Sequence, residues 1–293
     1  MLFMKKPSVL SVVGGDDRQF YIADILSDFF SVKTYGINSD MRKCSANGTA
    51  EALDADILLL PLPVTTDGYR VNASRDIPFF DAVLKLDKKC RVCGGKIPPA
   101  FKDFLEQNGI DFFDYYADGD VIWKNADVTA EGAVFTLMRE LDVTLRGAEI
   151  LVCGYGRIGK CLASKLTRLG ASVTVAARKK ESLYEAENVF GTETDRINYL
   201  RDGIIDTERR YDAVVNTVPN WIFDKHNARV LQNTIYIELA SAPYGGEVEY
   251  MKKTCGRYVP APSIPGKYAP VTAAKIIASS LLKHYVYEED SGF

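Results

Sequence analysis

Short apolar runs alternate along this chain with longer stretches in which apolar residues recur every three or four positions. Residues 8–13 form one such run, which breaks at Gly14-Gly15-Asp16-Asp17 and is followed by an amphipathic stretch over 18–30. That order predicts a strand, a tight turn and a helix. Further strands are expected at Ser31–Tyr35, 57–60 and 90–93, with helices over 78–86 and 98–108. Buried strands that alternate with helices imply parallel pairing, because a parallel connection needs a long crossover.

The second half repeats the theme. Residues 129–142 place Ala130, Ala133, Val134, Leu137 and Leu141 at helical spacing, with Asp127 or Thr129 suited to cap the first turn. This helix is read as the link between two domains. Beyond it come strands at Glu149–Cys153, 172–176, Ala213–Asn216, 234–239 and near Tyr258, with a helix over 158–169. Residues 260–270 are rich in proline and read as turn; 272–287 is helical again. The expected fold class is α/β: a flavodoxin- or Rossmann-like parallel domain over 1–127 and a Rossmann dinucleotide-binding domain over 128–270. The helix in 271–293 is expected to pack back onto the first domain.

Composition narrows the picture. With 36 basic against 39 acidic residues the net charge is only -3, which argues against general attraction to nucleic acid or an anionic membrane surface. Any anion site must be local. Six cysteines are scattered along the chain and no charged-then-apolar leader opens it, so a cytoplasmic setting is expected. Cys90 and Cys93 share a redox-like spacing, yet no second pair or histidine cluster accompanies them, and no metal is expected.

The most informative motif is Gly154-Tyr155-Gly156-Arg157-Ile158-Gly159, set between a strand and a helix, with Gly170 and a second strand following. In that setting the first glycine permits a tight turn, the second lets backbone approach a pyrophosphate, and the third allows close packing of helix on strand. The competing reading, a glycine-rich turn that binds nothing, fits the complete setting less well. Cofactor choice falls at the end of the second strand, where an NAD site places a carboxylate for the ribose 2′-hydroxyl. Here the chain reads Ala177-Arg178-Lys179-Lys180, which predicts NADP, with Arg178 gripping the 2′-phosphate. Asn216-Thr217-Val218-Pro219 and Glu238-Leu239-Ala240 end two later strands and are candidates for the remaining cofactor contacts, although ordinary turns would look the same.

Taken together, Gly14-Gly15-Asp16-Asp17-Arg18-Gln19, the glycine motif, Ala177-Arg178, Asn216 to Pro219, Glu238 to Ser241 and Ala261 to Pro270 resemble the dipicolinate synthase A-subunit family over nearly the whole chain. The resemblance implies NADP-dependent oxidation of dihydrodipicolinate, a small dicarboxylate, to dipicolinate during sporulation. It also implies a second, flavoprotein-like subunit. An assembly of several copies is expected as well. Where family members often carry Asp this chain has Glu238, and where they carry Arg it has Ala242, so another cation must hold a substrate carboxylate.

Substrate candidates are Arg18 at the first glycine-rich turn, the hydroxyls of Thr65 and Thr66, and Ser263 and Tyr268 in the proline-rich segment. Arg18 also suits a solvated first turn. For proton transfer the candidates are Glu131, taken to lie at the start of the linking helix, and Lys267. A dehydrogenase of another small carboxylate, such as a 2-hydroxy acid, and a non-catalytic NADP-binding subunit remain as alternatives.

Overall fold

A computed structural model describes residues 8–40, 42–190, 193–196 and 209–287. In chain order its elements are β1 (Val9–Val13), α1 (Asp17–Leu26), β2 (Ser31–Tyr35), α2 (Thr49–Leu53), β3 (Ile57–Leu59), α3 (Phe79–Val83), β4 (Arg91–Gly94), α4 (Pro99–Gln107), β5 (Phe112–Asp114) and α5 (Gly119–Glu140). They continue as β6 (Glu149–Cys153), α6 (Arg157–Arg168), β7 (Ser172–Ala177), α7 (Lys180–Phe190), β8 (Glu193–Arg196), β9 (Ala213–Asn216), β10 (Ile235–Glu238), α8 (Val248–Thr254), β11 (Arg257–Pro260), α9 (Ile264–Tyr268) and α10 (Pro270–Leu282). The chain divides into two compact units, one comprising Met1–Asn125 with Ala269–Phe293 and the other Ala126–Tyr268.

The first unit holds a five-stranded parallel sheet in the order β2-β1-β3-β4-β5. Alternate residues serve opposite faces: Ile57 and Leu59 join one core cluster, Leu58 and Leu60 the other. Covering both faces explains why the strand reads as an unbroken apolar run. Helix α10 returns to this unit and packs on α1, with Ala274, Ile277, Ala278 and Leu281 buried beside Phe20, Ile22, Ala23 and Leu26. Its buried residues recur at helical spacing, as an amphipathic face requires.

The second unit holds a six-stranded parallel sheet in the order β11-β10-β9-β6-β7-β8, which is the Rossmann strand order. The direction of strand addition reverses between β6 and β9. Carboxyl ends are flush there: Cys153 lies opposite both Ala176 and Asn216, Asn216 opposite Glu238, and Glu238 opposite Pro260. The expected α/β fold class is thus borne out.

Several element boundaries need correction. The linking helix starts at Gly119, ten residues before the expected position, and runs for 22 residues. Asp118 caps it by accepting from the Asp120 amide at 2.9 Å. Asp127 instead pairs with Lys165 at 2.9 Å, and Thr129 is buried inside the helix. Glu131 therefore sits in the middle of α5 instead of at its start. The early turns carry Asp120, Lys124, Asn125 and Asp127, which dilute the apolar period that was used to find the helix. Part of the proline-rich segment is also helical, because α9 begins two residues after Pro262 and α10 starts on Pro270.

Candidate dinucleotide site

Three glycines shape the turn after β6, each for its own reason. Gly154 has φ +99°, a left-handed conformation costly for any other residue, and a side chain there would strike Thr217 and lie 2.7 Å from Val218. A methyl on Gly159 would drive into the carbonyl oxygen of Gly154, so the helix can approach the strand only if this position is bare. Gly156 is different: among the described residues nothing lies within 4 Å of where its side chain would stand. It is the N-cap of α6 and offers no side-chain hydrogen bond to the helix. No cap side chain takes up the first amides of α6, and the positive end of the helix dipole lies at this turn.

The corresponding turn of the first unit is closed. Asp16 caps α1 by accepting from the Arg18 amide at 3.2 Å, while Gln19 accepts in return from the Asp16 amide at 3.0 Å. Arg18 then clamps the same carboxylate at 2.7 and 2.8 Å and reaches the Leu62 carbonyl at 2.9 Å. An anion at this helix end would meet a carboxylate already in place. Of the two turns, the one in the second unit carries no side-chain cap.

The cation cluster lies at the end of β7. Ala177 is buried, Arg178 and Lys179 are exposed, and α7 begins at Lys180. Lys160 points elsewhere, since it holds both carboxylate oxygens of Glu185 at 2.7 Å and lies 5.2 Å from the centre of the Tyr155 ring. Tyr155 faces the core, its hydroxyl has no hydrogen-bond partner among the described residues, and burial pushes its pKa up to about 12. Only its backbone is left for a ligand. Arg157 is exposed and Ile158 half-buried at the mouth of the turn.

On the other side of the reversal the side chains of Asn216 and Glu238 point inward, at 0% and 3% exposure. Asn216 Nδ2 donates to Glu238 at 2.7 Å, and the same carboxylate accepts from the Tyr236 hydroxyl and the amides of Ala240 and Gly245. Burial raises the Glu238 pKa, against the pull of these four bonds. Thr217 donates to the Cys153 carbonyl at 2.8 Å and so ties β9 to the glycine turn. Val218 is buried, Thr217, Leu239 and Ala240 are half-buried, and Pro219 is exposed. Tyr236 and Gly245 were missed from the sequence; a polar Asn and Glu at the ends of two apolar strands was the available signal.

In the second unit Glu131 meets Tyr268, and Ser263 and Lys267 share one backbone turn at the start of α9. The Tyr268 hydroxyl donates to Glu131 at 3.4 Å, and the Ser263 carbonyl accepts from the Lys267 amide at 3.2 Å. Lys267 and Tyr268 line a cleft of about 510 Å³ with Phe135, Thr136 and Arg139, beginning at the carboxyl end of β11. In the first unit Thr65 is engaged within its own loop, donating to Asp67 at 3.1 Å and accepting from the Gly68 amide at 3.0 Å, while Thr66 is exposed. Burial drives the thiols of Cys90 and Cys93 up to about 11 and about 12, which leaves them unreactive near neutral pH. His226 lies exposed in a loop, and His284 stacks on Phe113 with ring centres 4.0 Å apart. Among the described residues no group of three or more His, Cys, Asp or Glu is placed to hold a metal, and no helix is long and apolar enough to cross a membrane.

A parallel sheet in the strand order β11-β10-β9-β6-β7-β8, with a glycine turn at its reversal, defines a doubly wound α/β protein of the Rossmann type. The fold extends to L-alanine dehydrogenase, whose structure superposes with a TM-score of 0.59 at 13% identity over 96% of this chain and 90% of that one. More particularly, the chain is similar along nearly all its length to the A-subunit of dipicolinate synthase. Residues 9–116 match the model of the N-terminal domain of the dipicolinate synthase A-subunit. That protein from Bacillus subtilis (strain 168) is 28% identical over 94% of both chains. The crystal structure of its B. subtilis form superposes with a TM-score of 0.79 over 98% of this chain and 99% of that one, at 23% identity. The Bacillus halodurans structure gives a TM-score of 0.76 at 26% identity, over 95% of this chain and 98% of that one. The resemblance read from the motifs is borne out.

Proposed function

We propose that the chain is an NADP-dependent oxidoreductase that converts dihydrodipicolinate to dipicolinate in the course of sporulation. The observation that carries the reading is the glycine turn into α6, which has no side-chain cap and has room beside Gly156, with Arg178, Lys179 and Lys180 after the neighbouring strand and no carboxylate among residues 176–180. Gly154 to Gly159 take the pyrophosphate and Arg178 the 2′-phosphate, with Lys179 beside it. Backbone of residues 216–219 and 238–240 borders the remainder of the dinucleotide.

A nicotinamide held there would supply the hydride acceptor for oxidation of the substrate. The substrate also loses a proton and its ring becomes aromatic, which supplies much of the driving force. Lys267 and Tyr268, with Ser263, are assigned to the substrate in the second unit; of the candidates in the first, Thr66 is exposed, whereas Arg18 is committed to Asp16 and the Leu62 carbonyl and Thr65 to its own loop. Lys267 is the cation offered in place of the arginine replaced by Ala242. Glu131 is assigned as proton acceptor, because its carboxylate already takes a hydrogen bond from Tyr268 at 3.4 Å. Its relatives are named as one subunit of a synthase, and a second subunit is accordingly proposed to accompany this chain, in an assembly with more than one copy of it.

Fluorescence titration with NADPH and NADH tests the cofactor assignment. NADPH is expected to bind the more tightly, and Arg178→Ala to cost it roughly tenfold or more while leaving NADH nearly unchanged. Equal losses would remove Arg178 from the site, and no saturable binding of either would overturn the reading. An assay with enzymatically generated precursor, followed by NADPH absorbance, tests the substrate; absence of turnover with and without the second subunit would exclude it.

A further inference from the structure

We propose that Glu238 is a positioning residue for the nicotinamide half of the site, acting through the loops that follow β9 and β10. The inference rests on the dinucleotide reading above. In a sheet of this order the adenosine end lies toward β7, and the other half of the ligand extends across the reversal toward β9 and β10. At that end the backbone must be held still without help from regular structure.

The Glu238 carboxylate does this by accepting four hydrogen bonds. One oxygen takes Asn216 Nδ2 at 2.7 Å and the Ala240 amide at 3.1 Å; the other takes the Tyr236 hydroxyl at 3.0 Å and the Gly245 amide at 2.9 Å. Asn216 passes the constraint on, since its side chain both donates to the Val218 carbonyl and accepts from the Val218 amide at 3.0 Å. Gly245 extends it in the other direction, its carbonyl accepting from the amides of Ile222 and Phe223 at 2.8 and 2.9 Å. A side chain on Gly245 would collide with the Tyr236 hydroxyl, so the loop is pressed directly against the network. One buried carboxylate therefore fastens segments 216–218, 222–223 and 240–245 to each other.

An ionised carboxylate suits this place because it is an acceptor at both oxygens. Glutamine has the same shape but presents an NH₂ group to one side. Whichever way it turns, either Ala240 or Gly245 is left with an amide facing a donor. Tyr236→Phe is a gentler change that removes one of the four bonds.

The test compares two probes, NADP and 2′,5′-ADP, the second of which carries the 2′-phosphate and adenine but no nicotinamide. E238Q is expected to weaken NADP about tenfold while leaving 2′,5′-ADP within about twofold of the unaltered chain. Y236F should show the same selectivity with about a threefold loss, and it serves as the readout if E238Q does not fold. Equal losses for the two probes in a folded variant, or an NADP affinity left intact, would overturn the proposal alone. An unaltered chain that binds neither probe would overturn the dinucleotide reading and this inference with it.

Discussion

Gly156 and Gly159 look alike in the sequence and do opposite things. The space beside Gly156 is open, so Gly156→Ala should fold with a loss of less than about 1 kcal/mol, from the poorer cap, yet bind NADP roughly tenfold more weakly because the methyl occupies room the pyrophosphate needs. Gly159→Ala meets the Gly154 carbonyl, and should lower stability by about 1–3 kcal/mol despite alanine's better helix propensity. Urea unfolding together with nucleotide titration separates the two; a destabilised G156A with intact binding would reverse the assignment. The motif itself was legible residue by residue, because each glycine answers a local steric demand. The roles of Asn216, Glu238 and Arg18 were less so. Their side chains are engaged with partners between 2 and 44 positions away, and a pattern of residue types does not show which polar group is already satisfied.

Among the elements, strands with continuous apolar runs were the easiest to find, since burial on both faces leaves no polar residue to interrupt them. Short or polar pieces escaped: β5 has three residues, and α2 only five. Helix α5 was found in part, through its buried half. Its Gly132 interrupts a good helical pattern for a packing reason, because a side chain there would run into Ile264 and lie 3.1 Å from the Tyr268 ring. Alanine at this position gains about 1 kcal/mol of helix propensity. The overlap with α9 should cost more than that, about 1–3 kcal/mol, so Gly132→Ala should melt at lower temperature and disturb the Glu131–Tyr268 pair. A higher melting temperature would mean that α9 yields without cost.

At the scale of the whole molecule, the two units were legible as two successive runs of strand and helix. The place of α10 in the first of them rests on residues far apart in sequence. Deleting residues 270–293 removes Ile277 and Leu281 from contact with Phe20, Ile22 and Leu26, at about 1.5–3 kcal/mol for each large side chain exposed. Such a truncated chain should bind a hydrophobic dye and aggregate on warming, while its second unit still binds NADP. Loss of nucleotide binding to the same extent as loss of the first unit would contradict this expectation.

The return of α10 also bears on how the protein is made. A ribosome delivers every strand of the first sheet, then the entire second unit, before it delivers the helix that covers α1. The later-synthesised unit is thus complete while the earlier one still shows bare apolar surface to the cell. The first unit lacks its last cover throughout synthesis of the second, and in nascent form is where a chaperone would be needed.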